Sequence, residues 1–255
     1  MNVEAEYTPP RRPTGMPLDP LTAWVTGDLG EKPFRARQLF SWIHLRGAES
    51  FGAMTDLPAP FRRRLQENAA LTILKPVETS RGEDGAMKFL FELPDGSPAE
   101  SVLIPAPPRL TACLSSQAGC RMGCTFCMTG LAGFRRNLEP DEIVAQLYAL
   151  RKASPDRITN LVMMGMGEPL DNLDRVLTAL EIITHQHGIC MGRRKITIST
   201  IGLPRGIARL AESGKQYGLA VSLHSAVQET RERLVPMAAA VPLETLRGGL
   251  MEWSA

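Results

Sequence analysis

The feature that most constrains the fold is an alternation that begins after Pro108. Four short β-rich runs, residues 110–116, 159–164, 195–200 and 219–223, are separated by helical patterns over 140–152, 173–185 and 204–213, and another helical pattern covers 243–253. Strands that alternate with helices in this way predict a parallel sheet with right-handed crossovers, either a barrel or an open doubly wound sheet. Functional groups in both folds gather at the carboxyl ends of the strands. Residues 109–255 are therefore expected to form one α/β core.

Upstream the pattern differs. Phe34, Leu39, Phe40 and Ile43 fall at helical spacing over 33–42, and a second helix is expected over 60–70, so 30–75 reads as a small helical domain. Met87–Leu93 and Glu100–Pro105 flank Asp95-Gly96, a hairpin signal that makes 76–108 a β connector. Residues 1–29 open with MNVEAEYTPPRRPTG and read as a flexible polar tail without an apolar signal region. With 44% hydrophobic and 22% charged residues and no apolar run near the ~20 residues that cross a bilayer, the chain is expected to be a cytosolic protein that touches no membrane. Net charge is only +2, yet Lys32, Arg35, Arg37, Arg46, Arg62, Arg63 and Arg64 concentrate between Gly30 and Gln66. Such a face can neutralise phosphates, although a solvated helix surface is the commoner explanation.

Each expected strand end carries chemistry. After the first comes Cys120-x-x-x-Cys124-x-x-Cys127, three thiolates from one loop. A four-iron cluster normally takes four cysteines, so three leave one iron open to a substrate or cofactor. The alternative, a structural zinc ion, wants four closed ligands, and the histidines at 44, 185, 187 and 224 are all distant in sequence from the triplet. Gly167-Glu168 follows the second strand, Ser199 closes the third, and Ser222, Leu223 and His224 close the fourth. Taken singly these are an ordinary turn, a strand-end hydroxyl and satisfied polar residues. Together beside the cysteine loop, Gly167 would let backbone approach a ligand, Glu168 or a neighbouring carbonyl could take an ammonium group, and the serines and His224 could hold a ribose.

The stretches CLSSQAGCRMGCTFCMTGLAGFRRNL, VMMGMGEPLDNL, KITIST, AVSLH and RERLVPM, with FRARQLFSWI and KFLFELPDG upstream, closely resemble the radical S-adenosylmethionine (SAM) methyltransferases that modify carbon 2 of an adenine in 23S ribosomal RNA. The resemblance implies a partial (β/α) barrel of the radical SAM type, with the helical domain engaging RNA. It implies a 4Fe-4S cluster on Cys120, Cys124 and Cys127, and SAM seated by Gly167, Glu168, Ser199, Ser222, Leu223 and His224. It further implies that a cysteine near the carboxyl terminus carries a methyl group to the adenine. Glu100 then matches the proton acceptor, and Cys113 the thiol that releases the product by attacking the methylated sulfur, through a disulfide bond. Without the resemblance, Glu100 reads as a solvated strand residue and Cys113 as a small buried hydrophobe.

The partners so implied are 23S rRNA, tRNA as a further substrate, and an electron donor such as flavodoxin or ferredoxin, acting on a monomer. Cys190 matches no role and reads as a packing residue. The chain ends at Ala255, where the family continues through two more strands, a SAM-contacting asparagine and the methyl-carrying cysteine. A fragment with an exposed parallel edge and poor stability is therefore expected. Two alternatives stay open, another radical SAM enzyme such as the carbon-8 branch, and a cluster-containing RNA-binding fragment that does not turn over.

Overall fold

A computed structural model describes residues 10–254. Three helices come first, α1 (Leu18–Gly27), α2 (Pro33–His44) and α3 (Ala59–Asn68). Helix α1 corrects the expectation of a tail over 1–29. Leu21, Trp24 and Val25 fall at i, i+3 and i+4, and all three are buried in the core that also takes Ala36, Leu39, Phe40 and Ile43 of α2. Residues 1–9 of the expected tail lie outside the described residues.

Four antiparallel strands follow, β1 (Pro76–Arg81), β2 (Met87–Glu92), β3 (Pro98–Ala106) and β4 (Arg109–Cys113). The Asp95-Gly96 turn joins β2 to β3 as its sequence predicts, with Asp95 accepting from the Ser97 amide at 3.1 Å. Next come β5 (Gln117–Gly119), the short α4 (Met128–Leu131) and β6 (Phe134–Asn137). The remainder alternates through α5 (Pro140–Ala153), β7 (Asn160–Met163), α6 (Leu173–Thr184), β8 (Ile196–Thr200), α7 (Pro204–Glu212) and β9 (Gly218–Val221), then α8 (Gln228–Leu234) and α9 (Leu243–Ser254).

The main sheet has seven strands in the order β1-β2-β3-β4-β7-β8-β9, and β5 pairs with β6 apart from it. Strands β4, β7, β8 and β9 are parallel and lie side by side in chain order. Order without reversal is that of a barrel wall rather than a doubly wound sheet. The wall does not close among the described residues, and β9 stands at its edge. The connector does not merely bridge two units, because β3 bonds directly to β4 and extends the core sheet.

Register divides the sheet into two faces. Ala99, Ser101, Leu103, Ala112, Leu161, Met163, Ile196, Ile198 and Thr200 share the buried face. There Gln146 of α5 accepts from Ser101 Oγ at 2.7 Å and the Ser115 amide at 2.9 Å, and donates to the Ser115 carbonyl at 3.1 Å. Glu100, Val102, Cys113, Val162, Thr197, Ser199 and Ala220 share the opposite face, which is partly exposed except at Cys113.

Candidate functional site

The cysteine loop occupies the carboxyl end of this wall. Gly119 and Gly133 approach so closely that a Cβ at Gly119 would lie 1.9 Å from the Gly133 carbonyl oxygen, and the Cys120 amide bonds to that same oxygen at 3.0 Å. The far side of the loop is latched to α8. The Thr125 amide donates to the Leu234 carbonyl at 3.0 Å, and Val235 and Ala238 pack with Met122 and Cys124. Cys120, Cys127, Ile201, Leu203, Leu234 and Met237 complete an apolar pocket around the three thiols.

Burial pushes the Cys120 thiol up to about 11, and the charges of Glu168, Cys124 and Cys127 push the same way. Cys124 is raised first by burial and then by Cys127. The three thiols thus lie within electrostatic range of one another. Soft sulfur donors set against apolar side chains fit an iron–sulfur cluster, whose iron must displace the thiol protons on binding. No three His, Cys, Asp or Glu side chains among the described residues are arranged to hold a single metal ion, so the fit rests on donor chemistry and on the pocket.

Gly167 and Glu168 do more for the loop than the sequence suggests. Gly167 has φ +98°, and a Cβ there would sit 2.5 Å from Cβ of Gln117. The close approach it permits is to β5. Gln117 in turn accepts from the Glu168 amide at 2.9 Å and donates to Asp171 at 2.7 Å. The Glu168 side chain is only 3% exposed, and its two oxygens accept from the Leu170 amide at 3.1 Å and the Ile201 amide at 3.0 Å. Burial raises its pKa, and those backbone donors oppose the shift. The carboxylate is thus a brace between two strand ends, and the carbonyl of Gly167 is the neighbouring acceptor that no described donor occupies.

Ser199 points to the open face from β8, and the Ser222 amide extends the β8–β9 pairing by bonding to the Thr200 carbonyl at 2.8 Å. Leu223 is exposed, and His224 adopts a left-handed φ of +59°. Its ring lies 4.1 Å, centroid to centroid, from that of Phe126, between Cys124 and Cys127. The fold therefore brings the β9 end onto the cysteine loop. Strained non-glycine backbone at such a junction is a mark of functional sites.

Glu100 and Cys113 occupy adjacent strands on the same open face, Cys113 opposite Val102 and Glu100 two residues along. Lys88 pairs with Glu100 at 3.1 Å, and both remain well solvated. Cys113 is buried, which pushes its thiol up to about 11. The disulfide carried by the resemblance finds no support, since all five cysteines are free. Cys190 is exposed and left-handed, with φ +56°, and does not pack in the core.

Two residues escaped the sequence reading. Asn172 is buried and donates to the Ser116 and Leu138 carbonyls at 2.8 and 2.9 Å, tying the loop after β4 to the one before α5. Arg231 of α8 is buried beside the cysteine pocket although its neighbours Glu229, Glu232 and Arg233 give α8 the look of a solvated helix. A cavity of about 840 Å³ lies elsewhere, between the end of α2, residues 71–76 and α5. Its polar rim is Arg46, Glu49, Lys75, Arg151 and Lys152, without a thiol or a histidine. The cysteine pocket, not this cavity, carries the reactive groups.

A family model for the radical SAM superfamily matches residues 114–247, the span that contains the cysteine loop, the Gly167–Glu168 turn and α8. The chain belongs to the radical SAM superfamily. A second model, described as the ribosomal RNA large subunit methyltransferase N-terminal domain, matches residues 14–71, which include α1 to α3. A protein of Syntrophobacter fumaroxidans named dual-specificity RNA methyltransferase RlmN is 45% identical over 238 residues, covering 92% of this chain and 69% of that protein. The protein of the same name from Nitratidesulfovibrio vulgaris is 45% identical, with 91% and 66% covered. These matches place the chain in the RlmN family, and it spans about two thirds of the length of these relatives. The solved structure of a radical SAM methyltransferase from Sphaerobacter thermophilus superposes with a TM-score of 0.90 at 39% identity, covering 96% of this chain and 72% of that one.

Proposed function

We propose that the chain supplies the cofactor-binding core and RNA-engaging domain of a methyltransferase acting on an adenine of 23S rRNA and, as its dual-specificity relatives are named, on a second RNA. The observation that carries this reading is the single open face on which Glu100, Cys113 and Ser199 stand beside the cysteine loop. Both alternatives from the sequence are less favoured, because the matched relatives carry the methyltransferase name over almost the whole chain.

Cys120, Cys124 and Cys127 would hold the 4Fe-4S cluster, with the Gly167 carbonyl, Ser199, Ser222, Leu223 and His224 around SAM. When bound, the cluster supplies the electron that cleaves SAM and starts radical chemistry on an aromatic carbon that is not nucleophilic. The chain's own residues prepare the ground. Glu168 braces the β7 and β8 ends, so the wall of the pocket is set before any ligand arrives. Lys88 holds Glu100 Oε1, which orients the carboxylate to take a proton from a base lying on the sheet. Cys113 keeps its proton in the buried state and has to lose it to act as a nucleophile.

The helical domain supplies positive charge. No described carboxylate pairs with the exposed Lys32, Arg37 or Arg63, so these cations remain available to phosphates, while Arg62 is half-buried and donates to the Gly52 carbonyl. No helix among the described residues is long and apolar enough to cross a membrane. We place the protein in the cytoplasm on the grounds of its RNA substrate and its reducible cluster, with a flavodoxin or ferredoxin as the reductant, and take the monomer as its working form. The test is anaerobic reconstitution followed by electron paramagnetic resonance of the reduced cluster with and without SAM, and binding of a 23S rRNA fragment. A spectrum that changes with SAM and salt-sensitive RNA binding are expected. An unchanged spectrum sinks the assignment.

A further inference from the structure

Arg231 is the least explained charged group in the molecule. Its side chain is 1% exposed, and one hydrogen bond is made, from Nη2 to the Ile201 carbonyl at 2.5 Å. Nε and Nη1 are buried without a partner, and no described carboxylate forms an ion pair with it. A buried cation left in this state is costly, and an anion brought beside it offsets that cost. The nearby ionisable group is Cys124, whose negative charge would favour the guanidinium, against burial, which disfavours it. Ile201 lines the cysteine pocket, so Arg231 reaches the pocket's back wall through α8.

We propose that Arg231 is a positioning residue, a built-in counter-cation for the thiolate-bound cluster, and that it makes that cluster easier to reduce. The inference rests on the cluster assignment above. Three thiolates outweigh the positive charge of an iron–sulfur core, and reduction adds one further negative charge. A fixed cation that is itself shielded from solvent therefore stabilises the reduced form more than the oxidised form. One electron enters from a low-potential one-electron donor, dithionite in the assay, and no proton or bond changes hands.

The experiment compares the full chain with its Arg231→Met and Arg231→Lys variants, each reconstituted anaerobically with iron and sulfide and titrated reductively under paramagnetic resonance. The Met variant is expected to load iron like the parent. Its reduced-to-oxidised ratio at the parent's midpoint should fall about tenfold, a downward shift of about 59 mV for a one-electron couple. Lys should hold the ratio within about threefold. Metal-free melting adds a readout that a purely structural arginine would move the other way. Removing an unpaired buried cation should leave the metal-free Tm unchanged or raised, whereas loss of a packing residue lowers it.

If the Met chain does not fold, Arg231→Gln replaces it, since it keeps a donor for Ile201 without the charge. An unchanged midpoint in an iron-loaded neutral variant overturns the proposal and leaves the function standing. A parent chain that takes up no iron takes both down together.

Discussion

At Gly167 there is no room for a methyl group. Alanine would place its Cβ 2.5 Å from Gln117 at a φ of +98°, so both a clash and a left-handed strain oppose it. Gly123, also left-handed at +65° but with nothing within 4 Å, meets only the second cost. Gly167→Ala should therefore destabilise the metal-free protein by roughly 2–4 kcal/mol and Gly123→Ala by about 1 kcal/mol, as measured by urea unfolding. The thiols give a second prediction. Cys127→Ala leaves two sulfur donors in the pocket, and iron retained after reconstitution and desalting should drop at least several-fold, with the brown colour lost.

Between elements, the packing of α2 on α5 and the segment after α6 is set by a buried histidine. His44 packs 4.1 Å from the Phe40 ring, makes a short hydrogen bond with Tyr148, and leaves Nε2 without a partner. Burial lowers its pKa to about 3, and the neighbouring His185 charge adds to the shift. In the unfolded chain an ordinary histidine takes its proton near 6.5, so below that value the unfolded state binds more protons than the folded one. Full stability is thus present above about pH 6.5 and is lost progressively as pH falls toward 3. Stability at pH 5 should be lower than at pH 7.5 by roughly 2 kcal/mol, and His44→Phe should remove most of that difference in urea midpoints. Where α5 meets the sheet, Gln146→Leu would strand the Ser115 amide and carbonyl and the Ser101 hydroxyl. A loss of roughly 2–4 kcal/mol is expected by the same measurement.

Periodicity within each element decides what was legible in the chain. The four parallel strands and α5, α6, α7 and α9 were readable because their apolar positions repeat with the period of the element. Helix α1 was not, since prolines and a polar start masked Leu21, Trp24 and Val25. Strands β5 and β6 are three and four residues long, too short to show a period, and their pairing is braced by Gln117 on Asp171 and Arg136 on Asp95. Cys120, Cys124 and Cys127 stood out by spacing as candidate ligands. Arg231 could not, because its surroundings are set by Ile201 and the cysteine loop rather than by its own helix.

For the whole molecule, charge placement governs the encounter with RNA. Lys32, Arg37 and Arg63 stand on the helical domain without described carboxylate partners, while Arg46 and Arg64 are paired to Asp56 and Glu31. Reversing Arg37 and Arg63 to Glu should weaken binding of an rRNA fragment and reduce the slope of log K against log salt, by up to roughly 0.7–0.9 for each phosphate no longer neutralised. The reduction midpoint of the cluster should not respond to the same changes. Fluorescence anisotropy over a salt series checks the first part and a reductive titration the second.

Because β3 is hydrogen-bonded to β4, the carboxylate of Glu100 and the sulfur of Cys113 ride on one continuous slab with no joint between them. Their backbones cannot separate without breaking that ladder. The base itself has to travel, leaving its stack in the RNA and coming to rest against a stationary anvil. The work of that journey then falls on the nucleic acid and on the surfaces that grip its backbone.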